Sequence, residues 1–406
     1  MTKPLNYDCW SSILDKMDAN KRFEISRQCP SLKKLEESLP LYIDYLKFEA
    51  GFGPNIMTIN GTTYTSGTIR VYPKGSQIPR WHQEENEEGG VAFDFGQMDW
   101  EYFDYEEKEF LGLRQYLDYR KGRRPEGTRF LSTSFYKEDS NDQILAKIKR
   151  TVIGLQEYYD NRDISRVVYK PMSQLVIVSP DGETITKRSS KRLEECEGKL
   201  YKRLFQNRCI INVKCLEINC PYCPPRVPPF LKLKIEELKI QFIRLGDLDA
   251  YQQIIDPSCL PLKRIVLVHL GVLKDYEHSL VKSAETMVIQ KFPYCDYLEL
   301  MINVLLQVSN RNVIINQFDQ YHITCSILIR RWIDQKRPIG TCWTFELESE
   351  ETISKTMEET EKHGVRLSER CISIRNDDDS MVRVVYEPSE TEAVWVLKWE
   401  VVAVEI

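Results

Sequence analysis

One short apolar pattern constrains the fold of this chain most. It consists of an aliphatic residue, any residue and a second aliphatic residue. It returns five times, as Leu216-x-Ile218, Leu238-x-Ile240, Ile265-x-Leu267, Met287-x-Ile289 and Val313-x-Ile315. Subtracting the first positions gives steps of 22, 27, 22 and 26 residues. Repeats of this length are typical of solenoids in which a helix returns each short strand to the next one. The chain therefore predicts a strand-helix repeat array that resembles a leucine-rich-repeat solenoid.

Helical spacing of apolar residues fills the intervals between the strand candidates. The predicted helices lie near 192–205, 247–255, 275–282, 294–308 and 323–335. Within each strand the apolar residues alternate with other side chains, so one face of a single sheet should pack against the helices. The opposite face should be exposed and bind a protein target whose identity the chain does not reveal. Its predicted residues are Glu217, Lys239, Val266 and Val288.

Changes in periodicity along the chain predict three regions and a mixed α/β fold, α+β overall. Residues 1–40 form a small helical module, and residues 41–170 form a β-rich middle region with a helix at 142–159. Residues 171–406 form the repeat domain, closed by a cap of C-terminal strands. Acidic and aromatic residues alternate over 84–109. That stretch is interpreted as a solvated loop, or as an aromatic surface that recognises a basic partner.

The N-terminal module carries apolar residues at helical spacing, followed by a short polar break at residues 18–20. In order, Pro4-Leu5, Ile13-Leu14, Met17, Arg22, Ile25-Ser26 and Cys29 resemble an F-box. An F-box binds the Skp-class adaptor of a cullin ubiquitin ligase. The resemblance implies a docking surface made of Leu5, Trp10, Ile13, Leu14, Met17 and Phe23. The alternative is a set of helices that merely cap the next domain.

Five further stretches resemble the nematode F-box C-type family and keep its order along nearly the full chain. They are Gly67-Thr-Ile-Arg-Val-Tyr-Pro-Lys-Gly75, Asn86-Glu-Glu-Gly-Gly90 before Phe93-Asp94, Ser179-Pro-Asp-Gly182, Leu248 to Ile255 before Pro261-Leu262-Lys263, and Trp395-Val-Leu-Lys-Trp-Glu-Val-Val402. The resemblance implies a non-catalytic interaction protein, a substrate receptor of a ubiquitin ligase. A stand-alone protein-binding solenoid is the alternative.

Two cysteine patterns are candidate sites of chemistry. Cys220-Pro-Tyr-Cys223 resembles a glutaredoxin active site, but the prolines that follow oppose the helix that would lower the thiol pKa. A zinc site would use Cys209, Cys215, Cys220 and Cys223 and lacks a second pair at the usual spacing. No nucleophile, base and orienting group can be proposed together. We therefore expect no catalysis, no cofactor and no metal.

Charge and hydropathy bound the compartment and the partners. With 56 Lys and Arg against 61 Asp and Glu, the net charge is -5, which gives no field for gripping nucleic acid. The start of the chain lacks the apolar core of a signal peptide, and no stretch is apolar enough to span a membrane. The chain is expected in the cytoplasm or nucleus, with reduced and buried cysteines. Asn60-Gly61 is expected to form a tight turn.

Overall fold

The computed structural model of the chain shows a mixed helix and strand fold of the α+β class, as predicted. The residues that it describes are 7–51, 53–76, 78, 80–94, 143–145, 148, 169–220, 225–241, 247–269, 273–291, 298–316, 322–347, 350–389 and 395–404. The five predicted repeat-region helices all form, with one of them divided in two.

Helices are numbered here in chain order. They are α1 Tyr7–Asp15, α2 Ala19–Gln28, α3 Lys33–Ser38, α4 Arg80–Glu87, α5 Leu193–Phe205, α6 Asp247–Ile254, α7 Leu273–Glu277, α8 Ser279–Ser283, α9 Leu298–Gln307, α10 His322–Asp334 and α11 Glu350–Glu361.

Strands are numbered in the same way. They are β1 Leu41–Glu49, β2 Asn55–Ile59, β3 Thr62–Val71, β4 Lys170–Val178, β5 Thr184–Ser189, β6 Ile211–Asn219, β7 Lys234–Ile240, β8 Arg264–His269, β9 Thr286–Lys291, β10 Asn312–Ile315, β11 Cys342–Leu347, β12 Val365–Ser368, β13 Cys371–Arg375, β14 Ser380–Pro388 and β15 Trp395–Ala403.

The chain divides into two compact units. The first contains residues 1–51, 56–63 and 200–406, and the second contains 52–55 and 64–199. This division differs from the predicted boundaries at 40 and 170. The difference arises because β1 and most of β2 group with the repeat region rather than with the middle of the chain.

The sheet of the first unit is parallel at its centre and antiparallel at its ends. Its strand order is β12-β13-β14-β15-β11-β10-β9-β8-β7-β6-β1-β2. The seven central strands, β1 and β6 to β11, run parallel to one another, whereas β2 pairs antiparallel with β1 and β15 pairs antiparallel with β11. Helices connect β7 through β11, as expected for parallel strands, which need a crossover connection.

The apolar repeat residues lie directly opposite one another across these strands. Leu216 pairs with Leu238, which pairs with Ile265, and Met287 and Val313 continue the row. All five are 0% exposed. The prediction that these strands lie in one sheet with their apolar residues on a common buried side is therefore confirmed. A shift of one residue in the pairing would turn this row to the opposite face.

The row extends beyond the five predicted repeats at both ends. Leu46 of β1 pairs with Leu216, and Trp343 of β11 pairs with both Val313 and Trp399. The Trp332 ring of α10 lies 6.0 Å from that of Trp343 and 5.8 Å from that of Trp399. This is the face that the helices cover, and it forms the core of the first unit.

The predicted C-terminal strands form as β13, β14 and β15, which follow the helix α11. The alternation of Leu397, Trp399 and Val401 buries all three side chains, at 0%, 0% and 1% exposure. The strand β12 was not predicted. Val365 and Leu367 alternate with Arg366 and Ser368, but the strand has only four residues and all four are exposed. So short an alternation is a weak signal for a strand.

In the second unit, β3, β4 and β5 are neighbours in that order. A β-carbon at Gly90 (φ 97°) would lie 2.4 Å from the Thr68 carbonyl oxygen, so this position requires glycine. The side chain of Asn86 pairs with the Arg70 backbone, accepting from its N–H and donating to its carbonyl, both at 2.8 Å. These contacts explain why Asn86 and Gly90 stand together in the sequence.

Two predictions for the middle of the chain are tested in part. Residues 84–87 of the predicted acidic loop belong to α4, so that part of the loop prediction is wrong. Acidic residues repel in a loop, but here Glu85 forms an ion pair with Arg70, which offsets that cost. Residues 95–109 lie outside the described residues. Of the predicted helix at 142–159, only 143–145 and 148 are described, and they are helical.

Candidate functional site

The N-terminal helices are fixed by side-chain hydrogen bonds at their turns. Asp18 caps α2 by accepting from the Asn20 N–H at 2.9 Å. The Asn60-Gly61 turn has φ angles of 44° and 84°, which confirms the predicted tight turn. The Asn60 side chain also donates to Asp18 at 2.7 Å. The hairpin β2–β3 therefore fixes the beginning of α2.

A buried triad of Arg22, Glu36 and Arg208 holds the N-terminal helices against the sheet. The Arg208 guanidinium donates to both Glu36 carboxylate oxygens, at 2.6 and 2.8 Å. Arg22 Nε donates to Glu36 Oε1 at 2.9 Å, and the Ser26 hydroxyl donates to Oε2 at 3.0 Å. The Arg22 and Glu36 residues are 0% exposed. Both oxygens of the carboxylate therefore have two donors each.

The protonation states in the triad follow from burial and from its two-to-one charge ratio. Burial raises the pKa of Glu36, but the hydrogen bonds and charges of Arg208 and Arg22 outweigh it and hold the pKa below its usual range. Burial and repulsion by Arg208 lower the pKa of Arg22, against the attraction of Glu36. The triad carries one net positive charge, which matters for the surface beside it.

The six residues predicted to bind an adaptor do not share one surface. Leu5 lies outside the described residues. Leu14 is 0% exposed and belongs to the core, whereas Ile13 is 40% exposed. Neighbouring residues of a helix point about 100° apart, so these two cannot lie side by side on one face. Trp10 and Met17 are half-buried.

Phe23 is also largely a packing residue. Its ring meets that of Phe205 edge to face, with centroids 6.4 Å apart. The Arg208 guanidinium lies 5.1 Å from the centre of the same ring. The exposed apolar side chains of α1 are Ile13 and Tyr7, the latter at 66% exposure and not among the predicted residues.

The residues predicted to bind a target do lie in one continuous row across the sheet. Glu217 pairs with Lys239, which pairs with Val266, which pairs with Val288. The expected exposure is found only at Lys239, which is half-buried. Glu217 is 6% exposed, Val266 3% and Val288 1%.

The prediction that this whole row is an open surface is therefore wrong at Glu217, Val266 and Val288. A pattern in the sequence does indicate this burial. Arg264–His269 and Thr286–Lys291 contain uninterrupted aliphatic runs. Such runs are typical of central parallel strands that are buried on both faces, rather than on one.

A polar cluster stands at the other end of the row, on β1, β6 and β7. Glu217 accepts from the Tyr45 hydroxyl at 3.0 Å and from the Gln241 amide at 2.9 Å, and forms an ion pair with Lys239 at 3.1 Å. Burial raises the Glu217 pKa, but these partners outweigh it and lower the pKa overall. Tyr45 comes from a strand 172 positions away. No local pattern in the sequence could have indicated this contact.

The contacts of the described cysteines support neither thiol redox chemistry nor zinc binding. Cys220 is 0% exposed, and Cys223 lies outside the described residues. The Cys209 thiol donates to the Ser38 carbonyl at 3.4 Å, and that of Cys215 to Glu237 at 3.4 Å. In the described part of the chain, no three His, Cys, Asp or Glu side chains are grouped as metal ligands.

The nine described cysteines are free thiols, but the prediction that they are buried holds only for Cys220. Cys9, Cys29 and Cys209 are exposed, and the others are half-buried. Cysteines inside amphipathic segments reach the surface whenever they fall on the polar side of the element. Among the described helices, none has the length and apolarity that crossing a membrane requires.

Comparison with known proteins gives one match. Residues 193–349 are similar to the family described as Domain of unknown function (DUF3557). The matched segment runs from the beginning of α5 to just past the end of β11, and it contains all five repeat strands. No curated protein and no solved structure matches the chain.

Proposed function

We propose that this chain is a non-catalytic substrate-receptor adaptor of a cullin ubiquitin ligase. In this proposal the N-terminal helices act as an F-box and bind a Skp-class adaptor. The repeat region acts as a leucine-rich-repeat-like solenoid that presents a protein target. In this proposal the protein binds its partners in the cytoplasm or nucleus. It requires no nucleic acid, membrane or cofactor.

The adaptor proposal rests on the difference in exposure between two groups of residues in the N-terminal module. Leu14, Arg22 and Glu36 are buried inside the first unit at 0% exposure. The side chains of Tyr7 and Ile13 are left outside at 66% and 40% exposure. Exposed apolar side chains on a rigidly held helix are suited to bury against a protein partner. The docking surface proposed here is therefore centred on Ile13, with Trp10 about one helical turn before it and the half-buried Met17 just past the end of α1.

For the target, we keep Glu217 and Lys239 as the proposed contact point on the sheet. Lys239 is the half-exposed member of the predicted row, and Glu217 fixes its position through their ion pair at 3.1 Å. Val266 and Val288 are buried, so they would support this surface rather than touch a target.

Coexpression of the full chain with a Skp-class adaptor tests the proposal. Wild type should recover the adaptor, and Ile13→Asp should lose it. Val365→Asp is the matched control, because it places the same charge at an apolar residue that is 68% exposed on β12. If wild type recovers no adaptor, or if both variants lose it equally, the ligase proposal fails.

The triad favours a second candidate, a stand-alone protein-binding solenoid whose N-terminal helices are its cap. Glu36 and Arg208 join the module to the chain just before β6 through bonds of 2.6 and 2.8 Å. Removing residues 1–40 would leave Arg208 buried without its carboxylate, so unfolding is expected under both proposals. The coexpression experiment separates them, because the solenoid predicts a folded wild type that recovers no adaptor.

The thiol-oxidoreductase alternative at Cys220 and Cys223 is less well supported. The thiol of a redox catalyst must be accessible to its substrate, and Cys220 is 0% exposed. A disulfide reductase assay of the wild type and of Cys220→Ser decides it. Activity that disappears in Cys220→Ser would favour this alternative over both binding proposals.

A further inference from the structure

A cavity of about 290 Å³ opens beside the buried triad. Residues of α2, α3 and the end of α5 form its wall. Phe23 stands in this wall and is held between the Phe205 ring and the Arg208 guanidinium. The aromatic wall of the cavity is therefore held in place by Arg208, which is itself a member of the triad.

The lining of this cavity is strongly positive, although the whole chain has a net charge of -5. Arg27, Lys33 and Arg203 stand around it, and Glu37 is the acidic residue nearest to Lys33, at 3.6 Å. Three cations and one carboxylate give a local charge of +2. The triad behind the wall adds a further +1, since two arginines share Glu36.

The cations of the cavity are weakly compensated. Glu36 cannot neutralise them, because both of its oxygens already accept two hydrogen bonds each. Arg27 meets Glu24 at 3.8 Å, with both side chains about half exposed, and such a pair contributes little. Within the described residues, Arg203 forms no ion pair and its side chain is exposed. An anion entering the cavity would therefore meet Arg203, which has no ion pair within the described residues, and Arg27, whose pair with Glu24 is weak and exposed.

We propose that this cavity binds a phosphorylated serine or threonine side chain of a protein partner. A phosphate monoester carries a charge of about -1.5 to -2 at neutral pH and offers three acceptor oxygens. That charge matches the +2 of the lining better than a single carboxylate does. Arginine binds phosphate through two parallel hydrogen bonds, and two of the three rim cations are arginines.

The geometry also favours a phosphate carried on a polypeptide over a free ion. Arg27, Lys33 and Arg203 are exposed, so the cavity can be reached from outside without opening the fold. Its volume accommodates a phosphorylated side chain together with part of the backbone that bears it. The Phe23 ring provides an apolar surface for a neighbouring methylene group. This site is independent of adaptor docking on α1.

A peptide retention experiment with the full chain tests the inference. The probe is a pool of peptides with one fixed phosphoserine between degenerate positions, compared with the same pool carrying serine. Immobilised wild type should retain the phosphorylated pool at least tenfold better. Arg203→Glu should remove that difference, and Arg203→Lys should keep part of it, because lysine keeps the charge but not the paired donors.

Lys202→Glu is the matched control. Lys202 is exposed, neighbours Arg203 on α5 and does not line the cavity. Its substitution by Glu should leave retention within about twofold of wild type. Equal retention of the two pools by wild type would overturn the inference. So would equal losses in Lys202→Glu and Arg203→Glu, since these would reveal a general charge effect. Circular dichroism of each variant checks that the fold is intact, as expected for exposed positions.

Discussion

Arg208 grips both carboxylate oxygens of Glu36, at 2.6 and 2.8 Å, although 172 positions separate the two residues in the chain. Both side chains are almost completely buried, at 2% and 0% exposure. A buried ion pair of this kind costs desolvation energy and is not in itself evidence of stability. Breaking it is a different matter, because Arg22 and Arg208 would keep backbone carbonyls as acceptors but lose the carboxylate that balances their charge. Its main consequence is therefore a fixed position for the N-terminal helices.

Replacing Glu36 with glutamine should destabilise the first unit strongly. The change leaves Arg22 and Arg208 buried without a counter-charge, which typically costs about 3–5 kcal/mol of the free energy of unfolding. Urea unfolding followed by tryptophan fluorescence measures the loss. Glu37→Gln is the matched control, because Glu37 forms only a partly exposed pair with Lys33, and it should change stability by about 0.5 kcal/mol or less. Equal effects of the two variants would contradict the role of the triad.

The contribution of Glu36 to the free energy of unfolding should decrease as the pH falls. Its pKa is lowered in the folded state, so its contribution is complete above the unfolded pKa of about 4.3 and is lost as the pH falls through the folded pKa. The stability difference between wild type and Glu36→Gln should be constant from pH 7 to 5 and shrink below about pH 4.3. Urea unfolding across this range measures it. A difference that grows on acidification would contradict the assigned direction.

Shortening Leu14 to alanine should destabilise the fold much more than shortening Ile13. Leu14→Ala creates a cavity at a position of 0% exposure and should cost about 2–5 kcal/mol. Ile13→Ala removes a side chain that is 40% exposed and should cost less than about 1 kcal/mol. Thermal unfolding of the two variants checks this. A larger loss in Ile13→Ala would mean that Ile13 packs inside the unit.

Arg337 should stabilise the C-terminal end of α9 by satisfying its last carbonyl groups. Its guanidinium donates to the Leu306 and Val308 carbonyls at 2.8 and 2.6 Å and lies 4.7 Å from the centre of the Trp343 ring. Burial lowers its pKa to about 10, which still leaves it charged at neutral pH.

Arg337→Met removes these hydrogen bonds and should cost about 1.5–3 kcal/mol, measured by urea unfolding. Arg337→Lys should restore little, because an ammonium group does not reproduce the planar arrangement of donors. Arg331→Met is the control, since Arg331 is 38% exposed and pairs with the exposed Glu299. Full rescue by lysine would mean that charge alone matters.

The cysteines should differ widely in their rates of alkylation. Cys9, Cys29 and Cys209 are exposed and should react with iodoacetamide first. Cys215 should react slowly, because burial and the charge of Glu237 raise its pKa to about 12 and leave little thiolate at pH 8. Cys220 is 0% exposed and should react only after unfolding. Peptide mass spectrometry at timed intervals measures the order, and early labelling of Cys220 would contradict its burial.

Much of the secondary structure could be predicted because it depends on short-range geometry. The strand period of two residues aligns Leu216, Leu238 and Ile265 whatever surrounds them. The helix period placed the five repeat-region helices in the same way. These patterns did not give the register, because a shift of two residues leaves the apolar row on the same face.

The sequence alone determined that Leu216 and its counterparts in the other repeat strands lie on one buried side, since that follows from the strand period. It could not determine which distant elements meet. Only the tertiary structure placed β1 beside β6, brought Tyr45 to Glu217 and Glu36 to Arg208, and buried Val266 and Val288 on the face that alternation had left outside. The physical reason is that long-range contacts depend on which edges and surfaces compete for burial in the whole fold, and polar partners leave no periodic trace in the chain.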